Sequence, residues 1–462
     1  MAFPVDLRRC QALGLAGTAF LALGGQTAGA LPVADLVSPE SGRAALGLVG
    51  VYFGVVLLIA AWALLGRVIR GPEPPTPRAL LLALAVWAAP LLLAPPLFSR
   101  DVYSYLAQGA MVDAQLDVYT HGPAQLGGPL AAEVAPVWRD TAAPYGPVFL
   151  AVASALSGLT RGELPSGLLG MRLVALLGVA LMAVALPRLA RQCGADPAAA
   201  LWLGALNPLV LLHLVAGAHN DAIMLGLLGI GLLAARGRLH VLGVVLITLA
   251  ALVKAPAALG LLAVVALRRH TGLARAIATT TAVALATTVV ATALTGTGYG
   301  WIAALRTPVS PYNWSPTSLL GRATGDVLAH LGSGLAPLAT PFWHAAGLLA
   351  TLVVVLFIWL RLRPGPIYAL GLSLAAVAVL GPAIRPWYGL WGLFLIAAAA
   401  PSASVRHRVA AATAVLALAV LPSGGPPDLA QVALAVSGGA LALVVLWQAH
   451  QTAQAPVLGG TV

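Results

Sequence analysis

The chain has 462 residues, of which 60% are hydrophobic and 8% charged. Water-soluble domains carry about 25% charged residues, so this composition excludes a soluble globular protein and makes lipid the solvent for most of the molecule. The net charge of +11 does not point to nucleic acid, because the basic residues lie in scattered pairs between apolar runs rather than on one aromatic-rich face.

Apolar runs near twenty residues recur along the chain. In hydrocarbon only helices or closed barrels satisfy their own backbone groups, and these runs lack the alternation of barrel strands. The predicted fold class is therefore an all-α polytopic membrane protein. In chain order, spans are predicted near 10–31, 45–67, 79–98, 168–188, 198–217, 221–235, 239–253, 255–267, 274–296, 342–360, 366–382, 387–401, 408–421 and 428–448, about 14 in all (13–15). Arg8 and Arg9 precede the first run, which closes on Ala28-Gly29-Ala30. That close resembles a signal-peptide cleavage site, but the run is long enough to span and is expected to stay as an uncleaved helix.

With a cytoplasmic N-terminus, the basic groups Arg8/Arg9, Arg67/Arg70/Arg78, Arg188/Arg191, Arg236/Arg238, Arg268/Arg269/Arg275, Arg361/Arg363 and Arg406/Arg408 all fall inside, as the orientation rule requires. Counting the short apolar segment 147–160 as a full span would invert every later loop, so it is expected to be re-entrant or interfacial. Two long extracytoplasmic loops, 99–146 and 299–341, place function on the outer face. Cys10 and Cys193 are far apart and imply neither a disulfide framework nor a metal site.

The first loop opens on Ser99-Arg100-Asp101-Val102-Tyr103-Ser104-Tyr105. Helical spacing puts Asp101 and Tyr105 on one face with Gln108 another turn on, and a carboxylate fixed there suits a general base acting on a hydroxyl. The alternative is that Arg100 and Asp101 merely mark the water boundary. Further on, Asp117-Val118-Tyr119, Trp138-Arg139-Asp140 and Ala143-Pro144-Tyr145-Gly146-Pro147 combine rings, acids and turn formers apt for a polyhydroxylated ligand, or for anchoring an interfacial loop. Asn207-Pro208 and His219-Asn220-Asp221 meet the same face, and three polar side chains between apolar spans are costly. They suit hydrogen bonding to a donor or acceptor better than a metal, since no third ligand is evident.

Lys254, the only lysine in the chain, sits beside Pro256 where a helix break is expected. On the outer side its ammonium is placed to meet a lipid phosphate. Arg306, the Ser310-Pro311-Tyr312-Asn313-Trp314 turn and Arg385-Pro386-Trp387-Tyr388 add cations for phosphate and rings for sugar or lipid. Snorkelling of Arg385 and an aromatic belt at Trp387 and Tyr388 are the bland alternative.

The strings SRDVYSYLAQG, WRDTAAPYGPVFL, NPLVLLHLVAGAHNDA, VKAP and IRPWYG, in this order and spacing, resemble the actinobacterial polyprenol-phosphate-mannose-dependent α-1,6-mannosyltransferases of the GT-C class. The likeness runs from about Arg78 to Ala400. It implies a GT-C-like catalytic membrane module over 79–401, flanked by membrane hairpins at 1–78 and 402–462. It also implies transfer of mannose from a polyprenyl-phosphate-mannose donor to an α-1,6-mannan lipoglycan acceptor, outside the plasma membrane. Asp101 matches the acidic residue expected as catalytic base in the first external loop. A β-linked donor and α-linked product imply inversion, without a covalent sugar intermediate.

On this resemblance Lys254, Arg306 and Arg385 are the candidates to hold donor phosphate. Arg100, Tyr103, Tyr105, Tyr145, His219, Asn220, Asp221, Trp387 and Tyr388 are the candidates for the sugar and acceptor. No clear DxD pair in a polar loop and no phosphate-cradling glycine loop occur, so a reaction without metal or nucleotide cofactor is expected. Competing readings are a GT-C transferase using arabinofuranose or glucose, a lipid-linked sugar transporter or flippase with Lys254 and Arg172 along its path, and an envelope scaffold without chemistry.

Overall fold

The structure, a computed structural model, describes residues 6–38, 40–305, 313–399 and 402–454. The chain opens with an antiparallel pair, α1 (Leu7–Ala28) and α2 (Gly42–Ile69). Asp6 and Ser41 cap their N-termini, accepting from the backbone N–H of Arg9 and Ala44. The two helices cross where glycines remove side-chain bulk: a Cβ on Gly24 would lie 2.5 Å from the Gly47 carbonyl, and one on Gly17 2.9 Å from that of Gly54. This close backbone approach is the small-residue packing that replaces hydrophobic driving force between helices in lipid.

After α3 (Pro77–Ala88) come α4 (Asp101–Asp113), the short α5 (Gly128–Glu133) and α6 (Pro147–Thr160), followed by the long α7 (Leu164–Gln192) and α8 (Pro197–Gly204). The segment 99–146 is thus largely helical, with α4 and α6 packed together through Gly109 against the Ala153 main chain. A π-helical turn at Val210–Ala216 leads into α9 (Asp221–Arg236) through a 108° bend. Next are α10 (His240–Ala251), α11 (Gly260–Arg268), α12 (Leu273–Thr295), α13 (Trp301–Ala304) and α14 (Pro316–His330). The chain ends with α15 (Ala339–Phe357), α16 (Pro366–Leu380), α17 (Gly389–Ala399), α18 (Ala403–Leu416) and α19 (Leu429–Gln454).

Among the described residues the fold is helical throughout, and five helices are long and apolar enough to cross a membrane, or six if the bent pair is one span. They coincide with the predicted spans at 45–67, 168–188, 274–296, 342–360 and 428–448. Of the other predicted spans, the first is the unbroken 22-residue α1, which is less apolar than these five, and the rest are helical but shorter or broken. The run at 198–217 divides into the eight residues of α8 and the π-helical turn, and the run at 255–267 begins as a 3-10 turn, Ala255–Leu259. At about 1.5 Å per residue the 14 residues of α6 extend roughly 21 Å, short of a bilayer core of about 30 Å.

Buried aliphatic and aromatic side chains of α1–α4, α6–α11, α16 and α17 form one continuous core. The faces of α12, α15 and α19 instead present exposed leucine and valine, including Leu285, Leu352 and Leu443, the surface that lipid solvates.

Candidate active site

Three interruptions of helical structure bring the polar centre together. The first lies just before α4, where Phe98 takes a left-handed φ of 66° and the Ser99 hydroxyl accepts from the Asp101 N–H at 3.0 Å. The second is the bend before α9, where Ala218 has φ 51°. The third is the α10–α11 break, where Lys254 is extended (φ −152°, ψ 122°) ahead of Pro256. Left-handed backbone costs a non-glycine residue roughly 1–2 kcal/mol, so Phe98 and Ala218 are held by their surroundings.

Asp101 and Tyr105 face the same side of α4, as their spacing predicts. The Tyr105 hydroxyl lies 3.2 Å from His219 Nδ1, and Asp101 Oδ2 is 3.7 Å from the same nitrogen. The His219 ring stacks on Trp387 at 3.9 Å between centroids. Tyr145 closes the group edge-on to Tyr105 at 5.3 Å, with Phe149 against both rings. Asp101 keeps 26% of its side chain exposed. Its enclosure nevertheless pushes the carboxyl above the ordinary aspartate value, against the opposing pull of Arg385 and Lys254.

Behind this group lies a buried ion pair. Lys254 Nζ donates to both oxygens of Asp221, at 3.0 and 2.8 Å, and Trp391 Nε1 donates to Asp221 Oδ1 at 2.5 Å. The ammonium also lies 4.8 Å from the Tyr388 ring centroid and 5.5 Å from that of Trp391, and these two rings stack at 4.2 Å. Trp387 meets Tyr388 edge-on at 5.9 Å, so one aromatic strip joins His219 to Lys254. Asp221 is fully buried, and its charge is balanced by the lysine. Among the described residues, both oxygen and nitrogen of the buried Asn220 amide, together with His219 Nε2 and Gln108 Oε1, have no hydrogen-bond partner.

The structure thus brings together Asp101, Tyr105, Tyr145, His219, Asp221, Lys254, Trp387 and Tyr388, with Arg385 near enough to act on the Asp101 charge. Asn220 lies between two of them in the chain. Arg100 and Tyr103 are engaged elsewhere. Arg100 donates to the carbonyls of Leu31 at 2.7 Å and Glu133 at 3.0 Å and lies over the Tyr103 ring, whose hydroxyl donates to Ala30 O at 2.6 Å. Through these bonds the two residues fasten the start of α4 to the chain that follows α1. Arg306 lies outside the described residues, as do Ser310, Pro311 and Tyr312. Arg172, considered above as a path-lining charge, is a buried clamp: it donates to Leu92 O, Ala94 O and Ala216 O at 3.0, 2.8 and 3.3 Å. Those carbonyls precede Asp101 and His219. Trp391 went unremarked in the sequence, although it falls one helical turn after Trp387.

These elements define a polytopic helical membrane protein built around a centre able to take a proton and to hold an anion. The particular family follows from sequence comparison. Residues 11–270 match a profile described as α-(1→6)-mannopyranosyltransferase, N-terminal domain, and residues 317–448 match the MptB C-terminal domain. The chain belongs to the α-(1→6)-mannopyranosyltransferase family. It is 35% identical to a probable α-(1→6)-mannopyranosyltransferase of Mycolicibacterium smegmatis, covering 96% of this chain and 88% of that one. It is 36% identical to α-(1→6)-mannopyranosyltransferase A of Mycobacterium tuberculosis (86% and 81%), and 32% identical to α-(1→6)-mannopyranosyltransferase B of Corynebacterium glutamicum (91% and 78%). No solved structure matches.

Proposed function

We propose that the protein transfers mannose from a polyprenyl-phosphate-mannose donor to an α-1,6-mannan lipoglycan acceptor, with inversion, on the extracytoplasmic side of the plasma membrane. The observation that carries this reading is the placement of a partly exposed carboxylate, Asp101, beside His219 and within the field of Arg385 and Lys254. Asp101 takes the proton of an acceptor hydroxyl as that oxygen bonds to the anomeric carbon. The bond from that carbon to the donor phosphate breaks on the opposite face. Charge gathers on the departing phosphate, where Arg385 and Lys254 stabilise it, with Arg306 a further candidate for the same task.

In this reading no metal or nucleotide takes part. Trp387, Tyr145 and Tyr388 supply ring faces for sugar, and His219, Asn220 and Asp221 order its hydroxyls directly or through their neighbours. The shorter helices complete further crossings in pairs, toward the GT-C arrangement of about 14 spans. Family membership supports the linkage formed, and the cation pair supports a phosphate leaving group over a free sugar donor.

The test is Asp101→Asn, purified and supplied with radiolabelled polyprenyl-phosphate-mannose and a short α-1,6-mannoside. Turnover is expected to fall by about two to four orders of magnitude, the usual contribution of a positioned general base. Normal turnover by correctly folded Asp101→Asn would remove it from the mechanism. A donor panel containing arabinofuranosyl and glucosyl polyprenyl phosphates tests the sugar: preference for either over mannose would overturn the donor assignment.

A further inference from the structure

Arg385 reaches the site on an irregular connection, residues 381–385, between α16 and the Pro386–Tyr388 turn. The main chain of this connection is gripped by side chains from a distant part of the sequence. Asn313 Nδ2 donates to Pro382 O at 2.5 Å, and the same carbonyl accepts from Ser315 Oγ at 2.8 Å and Ser318 Oγ at 2.9 Å. Thr317 Oγ1 donates to Gly381 O at 3.0 Å, while the Ile384 N–H donates to Asn313 Oδ1 at 3.1 Å. Asn313, Ser315, Thr317 and Ser318 are all buried, and Ser318 is in turn held 2.9 Å from His344 Nε2 of α15.

Four buried polar side chains therefore hold three main-chain groups within four residues of Arg385. None of the four belongs to the cluster around Asp101. Buried amides and hydroxyls spent on an irregular strand of chain fix its path, and the residue whose path matters here is the next one along. Asn313 is the hinge pin of the arrangement, since it alone both donates to and accepts from the connection.

We infer that Asn313 is a positioning residue for Arg385, holding the 381–385 connection so that the guanidinium stands beside Asp101 and the departing phosphate. The inference rests on the proposed transfer reaction. It makes the second external segment part of the catalytic apparatus through its grip on the arginine, without substrate contact of its own.

The experiment compares Asn313→Ala, Arg385→Ala and the double variant in the mannosyl-transfer assay across pH. Facing Asp101 are the cations Arg385 and Lys254, the anion Asp221 and the rings of His219, Tyr105, Tyr145 and Tyr388. Arg385 pulls the Asp101 carboxyl down, so losing its position moves the acidic limb of the rate profile to higher pH. Asn313→Ala is expected to lower kcat on the order of tenfold to a hundredfold, with acceptor KM little changed and the limb displaced upward. Arg385→Ala gives the same displacement, and adding Asn313→Ala to it gives no more.

An Asn313→Ala limb at the wild-type position, or losses that multiply fully in the double variant, would overturn the inference. If Asn313→Ala does not fold, Thr317→Val removes one donor and is expected to shift the limb in the same direction by less; an unmoved limb overturns the proposal equally. Asp101→Asn in the same series separates the two claims. Its normal turnover brings down the transfer mechanism, whereas an inactive Asp101→Asn beside an unshifted Asn313→Ala brings down only the role of Asn313.

Discussion

In the proposed mechanism Asp101 acts as a base only when ionised, and its enclosure raises its pKa above the ordinary aspartate value. The rate should therefore fall as pH drops through that raised value, giving an acidic limb above the range of a solvated aspartate, as kcat/KM measured against pH would show. The Lys254–Asp221 pair makes a different demand. Removing one partner strands a buried charge at a cost of about 3–5 kcal/mol, while replacing both with apolar side chains is far better tolerated. Asp221→Asn should thus lower both thermal stability in detergent and turnover, whereas Asp221→Leu with Lys254→Met should recover much of the stability and none of the turnover. Which residues were legible in the sequence follows from helical geometry. Asp101 and Tyr105 are one turn apart and share a face; Arg100, just ahead of α4, and Tyr103, within it, are close in the string but reach main-chain carbonyls. Their partners lie far off in sequence, which the string alone does not disclose.

Helices were read from hydropathy, which registers how apolar a stretch is but not where its backbone turns. The five long spans were visible for that reason. The runs at 198–217 and 255–267 were equally apolar, yet a break ahead of Pro208 divides the first, Pro256 interrupts the start of the second, and the left-handed Ala218 parts the first from α9; the last two of these breaks carry the site. The break at Lys254 was legible because proline favours one there. The turn before α9 was legible as the boundary between the predicted spans 198–217 and 221–235, but its 108° angle was not, because the angle depends on tertiary contacts that a window of composition does not contain. Near that bend α7 and α9 pack through glycines: a Cβ on Gly226 would sit 2.7 Å from the Gly178 carbonyl, and one on Gly178 would collide with the Ala222–Ile223 main chain. Gly178→Val should force the two helices apart, costing about 1–3 kcal/mol by overpacking. Because Ala222 follows Asp221, turnover should fall further than stability alone explains, as comparison of melting temperature with specific activity would show.

On the proposed topology the molecule is polarised, with arginine pairs at the cytoplasmic helix ends and the Asp101 cluster at breaks on the extracytoplasmic side. In a Cys10→Ser/Cys193→Ser background, a cysteine replacing the exposed Asp117 should react with a membrane-impermeant maleimide in intact cells. One replacing the exposed Arg238 should react only after permeabilisation; the reverse pattern would invert the topology. The polarity also bears on the strained backbone at Phe98 and Ala218, which lie just ahead of Asp101 and His219. A glycine at 218 would relax the chain at little steric cost and loosen the histidine that it now aims. Selection for sturdiness and selection for speed would accordingly pull this position in opposite directions, and a thermally hardened descendant of the protein would be expected to be a slower catalyst.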